Sequence, residues 1–445
     1  MVFSVIGLRA RVLKIEVRQE AQVKFGLAGV EMTIFMYLST ILLLPLYLWE
    51  SGLPQVGHYL GALWVIFTLL MSRKFYWHFH FRYLILLFIY AAIVNSLVFS
   101  HYLDPYSLLS AAYYIYNLLL FLILIETARR TGYQVFFKLT LYAFLLLLLA
   151  QIILNFMGLG RLFGESRFMG TFNDPNQFAH WILWSVIIVA ISSWYLYKTF
   201  LGAWVGLGLG VVLLILSASR SGLVGMVWVG FSLFITLFFN AFDAMYKKLN
   251  PVNLARSLLV STLLFVTTIG CLVAAFYLLP NIQTKITDQV EFFTSRATEG
   301  LVKGGENFEE RGYDRLWKFP EYLLLGSGEG ANERWSERTS FTGEIHSTLA
   351  GLAFYYGLPG VVMFFGFLYN LWRRIPYIWM RLLLIAPFIY SLSTYNLRNS
   401  MFWVGMGIFW IIADALRGRQ KSQSEREWLT SSREYRSFRE EKNEQ

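Results

Sequence analysis

The sequence predicts an all-helical protein that crosses a membrane many times. Hydrophobic residues make up 56% of the chain and charged residues only 15%, a composition that is not typical of soluble domains. The apolar residues occur in runs of roughly 20, the length that a helix needs to cross the hydrocarbon of a bilayer. The single cysteine, Cys271, lies inside one of these runs, which excludes internal disulfide bonds and cysteine-rich metal sites.

We identify twelve apolar runs and expect each to form a membrane-spanning helix. They lie near 33–49, 56–71, 83–99, 109–126, 135–156, 179–196, 200–217, 222–240, 257–279, 346–370, 382–395 and 401–416. The simplest organisation has three parts: an interfacial segment over 1–32, a membrane domain over 33–416 and a charged tail over 417–445. Between the ninth and tenth runs lies one long loop, 280–345, which is dense in charge and is expected to contain short helices.

The positions of lysine and arginine predict the orientation, because cytoplasmic loops retain an excess of positive charge. With both termini in the cytoplasm, most of the 38 Lys and Arg residues lie on that side. The long loop is then outside, together with four arginines that need a reason to be there: Arg161, Arg167, Arg220 and Arg398. The net charge of +10 mainly reflects this bias, so it favours contact with anionic lipid head groups and not with nucleic acid.

Three segments on the expected outer side carry candidate chemistry. The first is the polar turn 217–222, which places Arg220 among hydroxyl groups at the membrane surface. A guanidinium there can bind a phosphate through two donors at once. The alternative is that Arg220 only reaches the interface to end a span.

The second segment lies in the long loop and contains Arg311 and Arg315. These residues are four apart, so on a helix they share one face, and two arginines on one face suit a diphosphate better than a single phosphate. We expect Leu316, Trp317 and the run 322–325 to seat this helix on the membrane domain. The competing interpretation is that the arginines form ordinary ion pairs with neighbouring acids.

The third segment places His346 at the outer end of the tenth run, beside the charged loop. An imidazole with a pKa near ~6.5 can accept a proton from a sugar hydroxyl at neutral pH. Three other histidines, His58, His101 and His180, are also expected near the outer face. Position alone therefore leaves competitors, and a lone histidine is more often structural.

Together and in this order, the segments resemble the O-antigen ligase and polymerase family, over roughly residues 160–370. That family also includes oligosaccharyltransferases that glycosylate proteins. The matching elements are 167–176, 219–222, 315–317 with Pro320, 326–328, His346 and 357–360. The family places one arginine a few residues before the tryptophan, and here both Arg311 and Arg315 stand at unusual offsets, so either can take that part.

The resemblance implies a GT-C-like membrane glycosyltransferase in a bacterial inner membrane, with its active site on the periplasmic side. Its donor would be a glycan on polyprenyl (undecaprenyl) diphosphate, and neither a metal nor another cofactor is expected. Arg220, with Arg315 or Arg311, would hold the diphosphate. His346 would activate the acceptor hydroxyl for a single, inverting displacement.

The acceptor separates two members of this class. A polymerase transfers the glycan to another lipid-linked repeat unit, whereas a ligase transfers it to the lipid A core. We favour a polymerase slightly, although no residue decides it, and Arg161 and Arg167 either contact the acceptor or only order their loop. A polytopic transporter is the competing class, but the predicted spans carry no acidic residue near the middle of the membrane.

Overall fold

A computed structural model describes residues 29–50, 52–71, 81–164, 167–246, 291, 309–339 and 341–418, and within these ranges the chain is mostly helical. Within the described residues, six helices are long and apolar enough to cross a membrane. The prediction of a mostly helical chain with several apolar helices of membrane-spanning length is therefore confirmed. The ninth predicted run with Cys271, the segment 292–308, most of the interfacial segment and nearly all of the tail lie outside the described residues.

The described part of the chain contains thirteen α-helices and two strands. In sequence order they are α1 (Gly29–Leu43), α2 (Val56–Met71), α3 (Arg82–Tyr102), α4 (Pro105–Thr131), α5 (Tyr133–Phe156), β1 (Arg161–Phe163), β2 (Arg167–Gly170), α6 (Pro175–Tyr197), α7 (Leu201–Ser217), α8 (Arg220–Tyr246), α9 (Arg315–Lys318), α10 (Tyr322–Leu325), α11 (Thr348–Arg374), α12 (Ile378–Tyr390) and α13 (Ser400–Gly418). The six long apolar helices are α3, α4, α5, α6, α11 and α13. Strands β1 and β2 form one antiparallel hairpin.

Helix starts at one end of the bundle are fixed by capping side chains. Asp104 and Asp174 each accept a backbone hydrogen bond from the helix that follows, α4 and α6, and a proline occupies the first turn of both helices. Ser347 caps α11 in the same way by accepting from the Ala350 amide. Short polar side chains before a helix satisfy amides that have no partner within it, and proline suits the first helical position.

The centre of the bundle is formed by α6 and α13. Within the most apolar 18-residue stretch of each helix, 89% of the residues are buried in α6 and 83% in α13, against 33% in α3 and 39% in α5. The exposed side chains of α3 include Leu86, Ile93 and Leu97, and those of α5 include Leu146 and Ile153. Apolar exposure on this scale is typical of helices that face lipid.

The connections at one end of the helices hydrogen-bond to one another, and we call this the polar end. It comprises the described parts of 44–55, 103–104, 157–174, 218–219, 309–347 and 391–399. The hydroxyl of Thr171 donates to the carbonyl of Pro45 at 2.7 Å, which joins the α5–α6 connection to the end of α1. The guanidinium of Arg167 donates to the carbonyl of Ser217 at 3.1 Å, which joins the hairpin to the end of α7.

Basic side chains occupy the opposite end, where the connections are short. Arg374 and Asp414 form an ion pair at 2.5 Å, and Arg417 donates to the carbonyl of Arg373 at 3.2 Å. The other basic residues at this end include Arg129, Arg130, Lys198 and Arg381. Because consecutive helices are antiparallel, these residues and the polar end are separated by the length of the bundle.

Two predicted features of the long loop are wrong. Arg311 ends a short 3₁₀ helix (Glu309–Arg311), Gly312 follows at φ 72°, and Arg315 begins the separate helix α9, so the two arginines do not share a helix face. A left-handed glycine interrupts helical geometry, which sequence spacing alone does not reveal. Trp317 also does not seat the segment, because 57% of its surface is exposed.

Two predicted spans also change their limits. The first predicted run, 33–49, corresponds to α1, which starts earlier and ends at Leu43. The run 382–395 corresponds to α12, which already ends at Tyr390. The residues after Tyr390 form the connection to α13, and their backbone carbonyls become acceptors at the polar end.

Candidate functional site

His346 lies immediately before α11, with its backbone fixed and its side chain exposed. Its amide donates to the carbonyl of Arg311 at 3.0 Å. Its carbonyl accepts from the hydroxyl of Tyr313 at 3.2 Å, and the same hydroxyl donates to the carbonyl of Leu392 at 2.6 Å. The imidazole packs against the ring of Phe341, 5.5 Å between centroids. The long loop and the α12–α13 connection therefore hold the histidine backbone from two sides.

Arg311 is the arginine nearest to this histidine in the backbone network. Its side chain is half-buried, and Nη1 lies 3.5 Å from the carbonyl of Ser393. Ser393 follows directly after Leu392, which anchors the histidine through Tyr313. Arg311 and His346 are thus neighbours that share one anchoring turn.

Arg315 occupies a different environment from Arg311. It is fully buried, and its Nη2 donates to the carbonyls of Phe341 (2.8 Å) and Gly343 (2.6 Å). Burial lowers the pKa of this guanidinium, although an arginine remains charged at any pH at which the protein is folded. Arg315 therefore fixes the segment that leads into His346, and its own side chain is closed to solvent.

Arg220 and Arg167 form a second pair of arginines at the polar end. Arg220 is the first residue of α8, and Ser219 caps this helix by accepting from the Gly222 amide at 3.3 Å. Arg167 reaches the connection before α8 through its hydrogen bond to Ser217. Both guanidinium side chains are half-buried, in contrast to Arg315.

The arginine pair and the histidine are at the same end of the bundle. The indole of Trp228 in α8 donates to the carbonyl of Leu382 in α12 at 2.8 Å. The two helices are antiparallel. Arg220 lies eight residues before Trp228 in α8, and Tyr390 lies eight residues after Leu382 in α12, so Arg220 and Tyr390 are at the same level of the bundle. The turn that anchors His346 begins directly after Tyr390.

Arg161, His180 and His58 have surroundings that differ from those of His346, and His58 lines a pocket together with Glu344 and Arg398. Arg161 is exposed on β1 opposite Gly170, so it is at the other end of the hairpin ladder from Arg167. His180 is fully buried in α6 and accepts from the indole of Trp184 at 3.0 Å. His58 accepts from the Gln55 amide at 2.9 Å. Only His101 resembles His346 in exposure among these competitors.

A buried ion cluster beside His346 was not predicted as a site. Arg398 lies between two carboxylates: its Nε is 2.8 Å from Glu329 Oε2, and its Nη2 forms an ion pair with Glu344. Its Nη1 donates to the hydroxyl of Ser110 at 3.3 Å. We call these three charged residues the Arg398 cluster. Arg398 was recognised as an arginine that needs a reason for its position, and this cluster supplies it.

Glu329 is the more strongly held of the two carboxylates. Its Oε1 accepts from the hydroxyls of Tyr114 (2.6 Å) and Tyr395 (2.5 Å), and also from Tyr356. Its Oε2 faces the guanidinium of Arg398, so hydroxyl donors and a positive charge surround this carboxylate.

Glu344 has less support, and its side chain is partly exposed. Burial raises the pKa of its carboxyl to about 7, while Arg398 opposes that shift and Glu329 adds to it. When both carboxylates are ionised, the Arg398 cluster carries one net negative charge, because only one guanidinium balances them. Glu344 is thus the member that takes up a proton near neutral pH.

A glycine-rich loop carries Glu329 into the bundle. Gly326, Gly328 and Gly330 all have positive φ, a conformation that favours glycine. A Cβ at Gly326 would lie 2.6 Å from Tyr356 Cα, and one at Gly357 would lie 2.6 Å from the Gly326 amide nitrogen. The glycine segments 326–328 and 357–360 of the sequence analysis therefore contact each other directly.

The chain was also compared with known proteins. No family model and no curated protein sequence matches it. The resemblance drawn from the motifs therefore stays a prediction, and function is argued from the site. Among the described residues, no group of three or more His, Cys, Asp or Glu side chains is placed to hold a metal ion.

Proposed function

We propose that the protein is a membrane glycosyltransferase that moves a glycan from polyprenyl diphosphate to an acceptor hydroxyl, as an O-antigen or exopolysaccharide polymerase. In this proposal the chain crosses a bacterial inner membrane twelve times with a GT-C-like arrangement. Both termini are cytoplasmic, and the polar end faces the periplasm. The acceptor is another lipid-linked repeat unit.

One observation carries the proposal: exposed His346 and the side chains of Arg311, Arg167 and Arg220 lie at one end of the bundle, around the turn after Tyr390. A diphosphate leaving group needs cationic donors, and preorganised donors at developing charge are worth about 3 to 4 kcal/mol each. The polyprenyl chain would lie along the exposed apolar faces of the helices. The diphosphate would then meet the arginines at the membrane surface.

Arg315 has a different role from Arg311 and Arg220 in this proposal, because its side chain is fully buried. Its Nη2 is used by two loop carbonyls, so we assign it the positioning of His346. Arg311 and Arg220, which are half-buried, are the stronger candidates for contact with the diphosphate. Between the two arginines left open by sequence spacing, the proposal therefore assigns the diphosphate contact to Arg311.

The reaction is a single displacement. The acceptor oxygen forms a bond to the anomeric carbon as the bond from that carbon to the diphosphate oxygen breaks. The proton of the acceptor hydroxyl passes to the His346 imidazole, and the electron pair leaves on the polyprenyl diphosphate. Configuration at the sugar carbon is inverted.

Purified protein in detergent tests the proposal directly. Supplied with lipid-linked repeat units alone, it should lengthen the glycan without ATP or nucleotide sugar. A ligase would instead need lipid A core as acceptor, and a separate reaction with that acceptor distinguishes the two. A transporter would show activity only in sealed vesicles, so transport without any glycan transfer would refute the proposal.

A further inference from the structure

A pocket opens beside the Arg398 cluster. It encloses about 100 Å³ and lies between the start of α2, the start of α6, the segment before α11 and the α12–α13 connection. Its polar lining includes Glu344, Arg398, Gln177, Asn396 and Asn399. Pockets for drug-sized ligands span roughly 300–1,000 Å³, so this one has room for one small unit of a larger ligand.

The lining combines amides and charged groups with aromatic rings. Glu344 offers acceptors, and Gln177 and the two asparagines offer both donors and acceptors. The rings of Tyr47 and Tyr113, among others, supply flat apolar walls. Such a mixture suits a compact ring that carries several hydroxyl groups.

The charge of the pocket argues against phosphate as its occupant. All three guanidinium nitrogens of Arg398 already face Glu329, Glu344 or Ser110. Glu329 and Glu344 therefore leave the pocket without a net positive charge from Arg398, whether or not Glu344 is protonated. A neutral ligand is thus favoured in the pocket over an anion.

We propose that this pocket binds one neutral sugar residue of the substrate glycan through its hydroxyl groups. The choice of ligand rests on the proposed function. Glu344 holds one edge of the ring, and Gln177 and Asn399 hold another. The sugar is held separately from the diphosphate.

The walls of the pocket include the chain segment that leads into His346. Glu344 is two residues before His346 in the chain. On the other wall, the Asn396 amide donates to the Thr348 hydroxyl at 3.0 Å, at the first turn of α11. A sugar in the pocket is thus bound beside the residue that would activate the acceptor hydroxyl.

Saturation-transfer NMR on the full-length protein in detergent tests this site without any need for turnover. The probes are methyl glycosides of glucose, galactose, mannose, rhamnose and N-acetylglucosamine, with inorganic pyrophosphate as a competitor. We expect at least one glycoside to bind, and Gln177→Ala and Glu344→Gln to weaken it about tenfold, the effect of about one hydrogen bond. Pyrophosphate should not displace the sugar.

Asn332→Ala is the matched control, because it removes an amide at the polar end outside this pocket. It should leave sugar binding unchanged. Deoxy analogues of the bound glycoside provide a second control, since a site built around hydroxyl groups discriminates strongly against ligands that lack one.

The outcomes separate this inference from the proposed function. Binding that depends on Gln177 and Glu344, in a protein that transfers no glycan, would retain the sugar site and refute the transferase. Transfer by a protein that binds none of the glycosides, or binds them equally well in both variants, would refute the sugar site alone. Displacement of the sugar by pyrophosphate would also overturn it.

Discussion

The backbone amide of His346 donates a 3.0 Å hydrogen bond to the carbonyl of Arg311, which ties the start of α11 to the long loop. The side chains of both residues remain at least partly accessible. An imidazole and a guanidinium are therefore placed together by main-chain contacts that do not use either functional group. Substitution of either side chain therefore leaves this main-chain bond in place.

Replacement of His346 by alanine should abolish most glycan transfer. A positioned general base contributes roughly 10²- to 10⁴-fold to a rate, so we expect a loss in that range. The thermal unfolding temperature should stay near that of the unchanged protein, because the side chain is exposed and its backbone bonds remain. Initial rates of glycan lengthening and the unfolding temperature should be measured on the same preparation.

His101→Ala is the control for this variant. His101 is also exposed and stands near the polar end, where its ring meets Tyr102 at 4.5 Å. It should retain normal transfer. Equal loss in the two variants would show that His346 has no specific part in the reaction.

The two loop arginines should respond differently to substitution by glutamine. Arg311→Gln should lower transfer by about a hundredfold if the guanidinium stabilises the leaving diphosphate, with little change in stability. Arg315→Gln should lower stability, because the carbonyls of Phe341 and Gly343 lose the buried guanidinium that donates to them, at a cost of about 1–3 kcal/mol.

Thermal unfolding and transfer rates, measured for both variants, distinguish the two roles. A stable Arg315→Gln protein with lost transfer, beside an Arg311→Gln protein with full transfer, would reverse the assignment. The concentration of lipid-linked donor should be varied, because loss of a diphosphate contact that also acts in the ground state raises KM as well.

Much of the helical framework could be predicted because a helix that crosses a bilayer needs a run of roughly 20 apolar residues, which is visible in the sequence. Long apolar runs gave α3, α4, α5 and α6 close to their observed limits. Helix ends were less predictable, since they depend on tertiary contacts. The end of α12 at Tyr390 is an example, because the residues that follow are apolar or small but bind α11 and the long loop.

The site was predictable only in its parts. Arginines and a histidine outside the apolar runs drew attention to Arg220, Arg311 and His346. The pairing of Arg398 with Glu329 and Glu344 joins positions up to 69 residues apart in the chain, and no local spacing encodes such a contact. The signal in the sequence was Arg398 itself, an arginine in the short α12–α13 connection whose acidic partners had to come from other parts of the chain.

The carboxyl of Glu344 should make stability depend on pH. Burial raises its pKa from an ordinary value of 4.5 to about 7, with Arg398 and Arg315 opposing and Glu329 adding to the shift. A raised acid pKa means that folding favours the protonated form. The stability that this contributes is complete below pH 4.5 and is lost as the pH rises through about 7.

Glu344→Gln should therefore become more stable relative to the unchanged protein as the pH rises from 4.5 to above 7. The measurement is the difference in thermal unfolding temperature between the two proteins across that range. Glu333→Gln serves as control, because Glu333 is an exposed acid of the same loop. A difference for Glu344→Gln that stays flat with pH would contradict the raised pKa.

The loop that delivers Glu329 should tolerate no side chain at Gly330. This glycine has φ +82°, and an added Cβ would overlap the hydroxyl of Ser107 and lie 2.5 Å from a carboxylate oxygen of Asp104. Gly132 has nearly the same φ, +79°, but nothing lies within 4 Å of an added Cβ. Both alanine variants place a side chain on a backbone with positive φ, which costs about 1–3 kcal/mol.

Only Gly330→Ala adds overpacking, which typically costs a further 1–3 kcal/mol or so and displaces the neighbouring backbone. Gly330→Ala should thus unfold at a lower temperature than Gly132→Ala, and it should also lose transfer, because Glu329 is the adjacent residue. Gly132→Ala should keep its transfer rate. If the two variants unfold together, the close approach of this loop to the start of α4 does not contribute to stability, and the position of Glu329 must depend on its tyrosine hydrogen bonds instead.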